Sequence, residues 1–362
     1  MSRRKSDNQI TIKDIAAACG VSVSTVSNVI NGKTNKVSKE VADRILAVMD
    51  EKGYSPNYLA QNLRATSTKT IGVIAEDLYI FSTSLVIEGI MQRAEEMGYN
   101  VVIENLRLFS RWSDRWMHND ELYQSALQPV MNKMEALHVD GIVYVAGYEH
   151  EVRITQRPEG VPFAVAYATA TDREIPCFRI DDEQGGYNVY NYLYSMGHRK
   201  IAIIAGETSN THTVNRLRGI QRAMFEHGIL FDPTAVVYQT WNREGGYNGM
   251  EKLANEDITA VLCFSDLIAA GVYAYLLEHG KKPGVDLAIT GYDDREISSL
   301  LYPRLTTVSL SLEDVGMAAV TRVIDMSNPE ESDNDSNEAL LPATKDECIC
   351  GELIERDSVF KL

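Results

Sequence analysis

Three patterns in this 362-residue chain carry residue types that can do chemistry. Asp181-Asp182 and Asp293-Asp294 are paired carboxylates, the groups that acid–base work uses. Cys348-x-Cys350 would set two sulfurs on one face of a strand, a spacing that can hold a soft metal. No second matching pair exists, so no metal site is expected. Cys19, Cys177, Cys263, Cys348 and Cys350 then read as scattered buried thiols. The third pattern is Val23, Ser24, Thr25, Ser27 and Asn28, small or neutral polar groups left facing outward from a short amphipathic helix. Such groups approach base edges and phosphates without clashing. The same outward face would also suit a small three-helix bundle that binds a protein.

The elements that must position that face are legible around it. Thr11-x-x-Asp14 is a capping box opening a helix with Ile12, Ile15 and Ala16 inward. Gly20 ends it, in the left-handed conformation that a tight turn needs. Ser22 caps the next helix, whose inner stripe is Val26, Val29 and Ile30, and Asn31-Gly32 closes it. Ser38 caps a third helix, with Val41, Ile45, Leu46 and Val48, ending at Gly53. Two short helices joined by a glycine turn, with a third packed behind, is helix-turn-helix geometry. Ser55-Pro56 then starts a helix of about two turns, too short to be stable alone in water. Thr66 to Lys69 reads as a linker.

Bulk numbers limit the classes. With 44% hydrophobic and 24% charged residues the chain can bury proper cores, and its length implies more than one domain. No apolar run is long enough to span a membrane. The polar, basic stretch Met1 to Gln9 is unlike a secretory signal, so a cytoplasmic protein is expected. The net charge of −16 is unevenly spread. The first 69 residues hold 11 Lys and Arg against 6 Asp and Glu, so the acidic excess lies wholly in the remainder. A basic head on an acidic body is expected where only one end meets phosphate.

From Thr70 onward, apolar β-rich runs alternate with helical stretches. The runs include 71–75, 100–103, 141–146, 163–168, 201–205, 236–238, 261–264 and 287–290; helical stretches include 84–97, 184–196, 215–227 and 268–279. Near-continuous apolar strands separated by helices mean parallel sheets covered on both faces. Two doubly wound subdomains are expected, with a ligand cleft between them at the strand C-terminal ends. Asp325 to Glu338 is acidic and reads as a solvated loop. No Walker P-loop, Gly-x-Ser-x-Gly elbow or His-Glu-x-x-His motif occurs, so no enzyme and no cofactor are expected.

Thr11-Ile-Lys-Asp-Ile-Ala, the run from Gly20 to Gly32, Val37-Ser and Gly53-Tyr-Ser-Pro-Asn-Tyr-Leu-Ala resemble the DNA-binding head of the lactose/galactose repressor family. The resemblance implies that Val23, Ser24 and Asn28 read bases in the major groove. It implies that Ser22, Thr25, Tyr54 and Asn57 hold phosphates, and that Thr11 also contacts DNA. Leu63 matches the hinge-helix leucine that wedges into the minor groove, with Arg64 beside it.

The body is similar to the family's effector domain at Gly197-His-Arg-Lys-Ile-Ala, Arg216-Leu-Arg-Gly-Ile, Phe264-Ser-Asp266, Gly291-Tyr-Asp-Asp294 and Pro303-Arg-Leu-Thr-Thr-Val. That domain resembles periplasmic sugar-binding proteins. Asp293-Asp294 falls in one of these landmarks and Asp181-Asp182 in a further one of the family, where the resemblance implies no catalysis. The resemblance makes Arg216 a ligand-binding arginine, Asp266 an acceptor for sugar hydroxyls and Trp241 an aromatic against the ligand. Ile80-Phe-Ser-Thr83 replaces the family's Asn-Pro-Phe-Phe, so Tyr79 and Phe81 are candidate aromatic walls. Tyr167 stands where relatives often carry Asp. An Arg- and Trp-rich insertion, with Arg107, Arg111, Trp112, Arg115 and Trp116, lies between Leu106 and His118 and reads as a lid, a dimer contact or a surface loop.

The expected organisation is a helix-turn-helix head (10–55), a hinge helix and linker (56–69) and an effector body (70–362). The N-subdomain takes about 70–168 and 299–328; the C-subdomain takes about 169–298 and 329–362. The expected function is a repressor of transcription. Its partners would be near-palindromic double-stranded operator DNA, a carbohydrate effector and a second copy in a homodimer, with no membrane and no metal.

Overall fold

The computed structural model describes residues 10–30, 36–54, 67–328 and 346–362. The chain divides into two compact units, Met1–Thr68 and Lys69–Leu362.

The first unit holds α1 (Ile12–Cys19), α2 (Val23–Ile30) and α3 (Lys39–Glu51). At the start of α1 the backbone N–H and the hydroxyl of Thr11 both donate to Asp14, at 2.8 and 2.7 Å. Gly20 ends α1 at φ 63°, as the tight turn demands. Ser22 Oγ accepts the Thr25 N–H at 3.1 Å, capping α2. Ile15, Ala16, Val26, Val29, Ala42 and Ile45 bury themselves as a small core. Leu46, expected inward, is 51% exposed, because Ala42 and Ile45 already fill the buried stripe of α3. Asn31, Gly32, the hinge segment from Ser55 to Thr66, and with it Asn57, Leu63 and Arg64, lie outside the described residues.

The second unit is α/β. Its strands are β1 (Thr70–Ala75), β2 (Asn100–Asn105), β3 (Gly141–Val145), β4 (Glu151–Val152), β5 (Phe163–Ala166), β6 (Thr169–Ala170), β7 (Cys177–Ile180), β8 (Ile201–Ala205), β9 (Val236–Tyr238), β10 (Ala260–Cys263), β11 (Ala288–Thr290), β12 (Thr307–Val308), β13 (Glu347–Ile349) and β14 (Leu353–Ile354). Among the described residues, one parallel sheet runs β13-β7-β5-β3-β1-β2 and a second runs β11-β10-β8-β9. The unbroken apolar strands follow from burial on both faces. In β1, Ile71, Val73 and Ala75 join one core while Ile74 joins the core on the opposite face.

The expected subdomain boundaries near 169 and 329 shift. β7 pairs with β5, and β13 pairs with β7, so both belong to the first sheet. The first crossing therefore follows Ile180 and the last follows Ile349. The helix Leu312–Ser327 extends past Asp325, where the acidic loop was expected to begin. The expected helices at 184, 215 and 268 start earlier, at Asp182, Thr211 and Asp266, because Asp181, Asn210 and Ser265 cap them. Cys348 and Cys350 are exposed rather than buried; Cys19, Cys177 and Cys263 are buried. Among the described residues, no helix is long and apolar enough to cross a membrane.

Candidate functional site

In the head, packing Val26 and Val29 inward turns the other face of α2 to solvent. Ser22, Val23 and Ser24 are exposed, and Thr25, Ser27 and Asn28 half-exposed. Thr11 is exposed at the start of α1. The Ser22 hydroxyl lies 2.7 Å from that of Ser24 and 2.8 Å from that of Thr25, which pre-orders three hydroxyls at one helix end. The free N–H groups of a helix start favour anions at that end. Tyr54 packs partly against the head core, and burial raises its phenol pKa, keeping it a neutral donor.

In the body, a cavity of about 710 Å³ opens between the two sheets' subdomains, in the range of small-molecule sites. Phe81, Tyr148 and Tyr167 line it from the first subdomain; Arg216, Trp241 and Asp293 line it from the second. Asp114, Met117 and His118 of the insertion line it too. Tyr79 does not, being 91% exposed on the outer surface.

Arg216 is held from behind. The helix Thr211–Glu226 packs closely on Asp182–Ser195, because Gly219 and Gly186 carry no side chain. A Cβ on Gly219 would lie 1.8 Å from the Glu183 carbonyl, and one on Gly186 would lie 2.3 Å from that of Arg216. This approach brings the buried Asp182 to Arg216, whose Nε–H donates to it at 2.7 Å. Arg216 Nη1 donates to the Phe264 carbonyl, and the guanidinium stacks 3.6 Å from the centre of the Tyr292 ring. Burial opposes the charge of Arg216, but the Asp182 carboxylate outweighs it and raises the guanidinium pKa. Burial likewise raises the Asp182 carboxyl, while Arg216 and His212 lower it further, for a net depression.

His212 sits one turn before Arg216. Its Nδ1 lies 2.5 Å from Asp182, and its Nε2 lies 3.3 Å from both the Tyr167 hydroxyl and the Glu149 N–H. Tyr167 and Glu149 belong to the first subdomain, so this imidazole bridges the back of the cleft. Tyr167 takes a left-handed backbone at φ 64°, which turns its ring to stack on His212.

Asp266 is placed otherwise than expected. It is fully buried, and its oxygens accept the Thr307 hydroxyl at 2.6 Å and the Arg295 N–H at 2.7 Å. Burial pushes its carboxyl up to about 7. The acid that faces the cavity is Asp293, at φ 112°. No hydrogen bond from a described residue reaches its carboxylate, and burial raises its pKa against the pull of Arg216. Arg295 lies 4.4 Å over the Phe81 ring at the cavity edge. The buried indole N–H of Trp241 has no partner among the described residues. An aromatic wall, a fixed guanidinium and a carboxyl without a protein partner can grip a ring with an apolar face and several hydroxyls.

Sequence reasoning did not find Asp182, His212, Asp293 or Arg295 as site residues. His212 carried a signal: four residues before Arg216, it shares that helix face. Asp182 and Asp293 were visible as carboxylate pairs, but which member of each pair faces inward is not written in the sequence.

The family profile described as bacterial regulatory proteins, lacI family, matches residues 11–57, and that of the periplasmic binding protein-like domain matches residues 190–359. The chain is 31% identical over 325 residues to the ribose operon repressor of Haemophilus influenzae, covering 89% of this chain and 93% of the relative. It is 31% identical over 327 residues to the transcriptional repressor PurR of Pasteurella multocida, with 89% and 93% covered. The lac repressor dimer bound to operator and the anti-inducer ONPF shares the fold at TM-score 0.73 and 24% identity, with 97% of this chain and 99% of that chain covered. The regulator CelR in complex with cellobiose does so at TM-score 0.59 and 23% identity, with 96% and 99% covered.

Proposed function

This chain belongs to the lacI family of bacterial regulatory proteins, and on that premise we propose that it is a cytoplasmic repressor whose operator affinity is set by a carbohydrate bound in the body cleft. The observation that carries the reading is the cavity between the subdomains, with Arg216 locked in place by Asp182 and Trp241 and Phe81 as aromatic walls.

Val23, Ser24 and Asn28 read operator bases; Ser22, Thr25, Tyr54 and Asn57 hold phosphates, with Thr11 at the edge. Leu63 and Arg64 serve the centre of a near-palindromic site gripped by a homodimer. Arg216, Trp241, Phe81 and Tyr167 hold the effector, with Asp293 taking the role first expected of Asp266. Closing the cleft on ligand changes DNA affinity, a coupling between two sites through two body states. The names of relatives support the ligand class: one is a ribose operon repressor and one fold neighbour holds cellobiose. One member of each carboxylate pair is engaged in the protein, Asp182 holding Arg216 and Asp294 accepting from Arg356 at 2.7 Å, in keeping with regulation rather than catalysis.

The test is a gel-shift titration of the full-length dimer on near-palindromic and random duplexes at several salt concentrations, with and without sugars. The expected result is a preference for one near-palindrome, a steep loss of affinity with salt, and a shift by at least one sugar. No preference among duplexes, or no response to any carbohydrate, would overturn it.

A further inference from the structure

The insertion that the family resemblance does not account for folds into a built wall. Its turns, Leu108–Trp112 and Ser113–His118, are anchored at both ends. Ser110 donates its N–H and hydroxyl to Asp77, at 2.9 and 2.7 Å. Trp116 is buried beneath it, edge-on to Phe109 at 5.3 Å and stacked on Tyr123 at 5.9 Å. The Tyr148 hydroxyl contacts Met117 Sδ. Met117 and His118 line the cleft on one side and a second cavity of about 530 Å³ on the other, with Trp116 and Tyr123 in its lining. Asp114 also faces the cleft.

We propose that this segment is the selectivity wall of the cleft, admitting a ligand of two linked sugar rings and reading the second ring through Asp114 and His118. The inference rests on the reading of the cleft as the carbohydrate site. Arg216, Asp293 and Trp241 supply a guanidinium, a carboxyl and an aromatic face from one subdomain, a set sufficient for one ring. Asp114 and His118 supply a second acceptor and a second imidazole from the other, above the apolar surface of Met117 and Phe81. A cavity of about 710 Å³ accommodates a ligand much larger than one pyranose. Both polar residues are solvent-exposed, so changing them leaves the core intact.

The test is calorimetric titration of the full-length dimer with ribose, glucose and cellobiose, on the wild type, Asp114→Asn and His118→Ala. The expected result is tighter binding of cellobiose than of either monosaccharide by the wild type. Each variant should lose roughly tenfold in cellobiose affinity, about the size of one hydrogen bond. Monosaccharide affinity and ligand-free operator affinity should be unchanged. Equal losses on all sugars, unchanged cellobiose affinity, or a wild type that prefers a monosaccharide would overturn the wall. A wild type that binds none of the three would overturn the wall, whereas the carbohydrate reading itself falls only if no sugar shifts operator binding in the gel-shift titration.

Discussion

The Asp182 carboxylate accepts the Nε–H of Arg216 at 2.7 Å with both side chains buried, so the guanidinium that faces the cleft is fixed before any ligand arrives. A buried charge left without its partner is destabilising by about 3–5 kcal/mol. Asp182→Ala should lower body stability by that order in urea unfolding, and it should free Arg216 to move. The loss should be smaller for Asp182→Asn, which keeps an acceptor oxygen.

The same pair sets a sign for acid sensitivity. The folded carboxyl of Asp182 lies below its usual value, so its stabilisation is present above the unfolded carboxylate range and lost as pH falls through the folded value. Unfolding midpoints of the wild type should fall more steeply with acid than those of Asp182→Asn. Equal slopes would mean that the charge of Asp182 contributes nothing.

Asp266 gives the opposite sign. Its folded carboxyl is raised to about 7, so the folded state holds its proton more tightly than the unfolded chain. This contribution falls as pH rises from the unfolded carboxylate range to about 7. Asp266→Asn should therefore show a smaller drop in body stability between pH 5 and pH 8 than the wild type, while its sugar affinity changes less than that of Asp293→Asn.

Trp241→Ala removes an aromatic wall of the cavity without touching the head. Carbohydrate affinity should drop at least tenfold by calorimetry, and ligand-free operator affinity should stay within twofold. A parallel loss of both would place Trp241 in the fold rather than at the ligand.

In the head, Asn28→Ala should cost about 1–3 kcal/mol of operator binding and relax the base preference at one position. Thr25→Ala should weaken operator and random duplex alike, since a phosphate contact carries no sequence information. Competition gel shifts separate the two. Gly219→Ala, by contrast, should destabilise the body by more than the usual overpacking penalty of about 1–3 kcal/mol, since its Cβ would meet backbone that cannot yield.

Much of this was legible in the chain itself. The capping pair Thr11 and Asp14, the left-handed Gly20 and the stripe of Val26 and Val29 are local signals, and local sterics and hydrogen bonding suffice to realise them. The doubly wound body follows from apolar strands alternating with helices, because only two-sided burial calls for such strands. Arg216 and Trp241 were expected from the family resemblance, and both line the cavity. What tertiary structure decided is which acid each site uses. Asp181 and Asp182, and Asp293 and Asp294, are neighbours in sequence, yet Asp182 turns inward to Arg216 and Asp293 turns to the cavity. Asp266 is consumed by Thr307, 41 residues away, and Asp77 anchors an insertion through Ser110, 33 residues away. Contacts at such separations depend on the register of strands and the approach of helices, which no short stretch of sequence specifies.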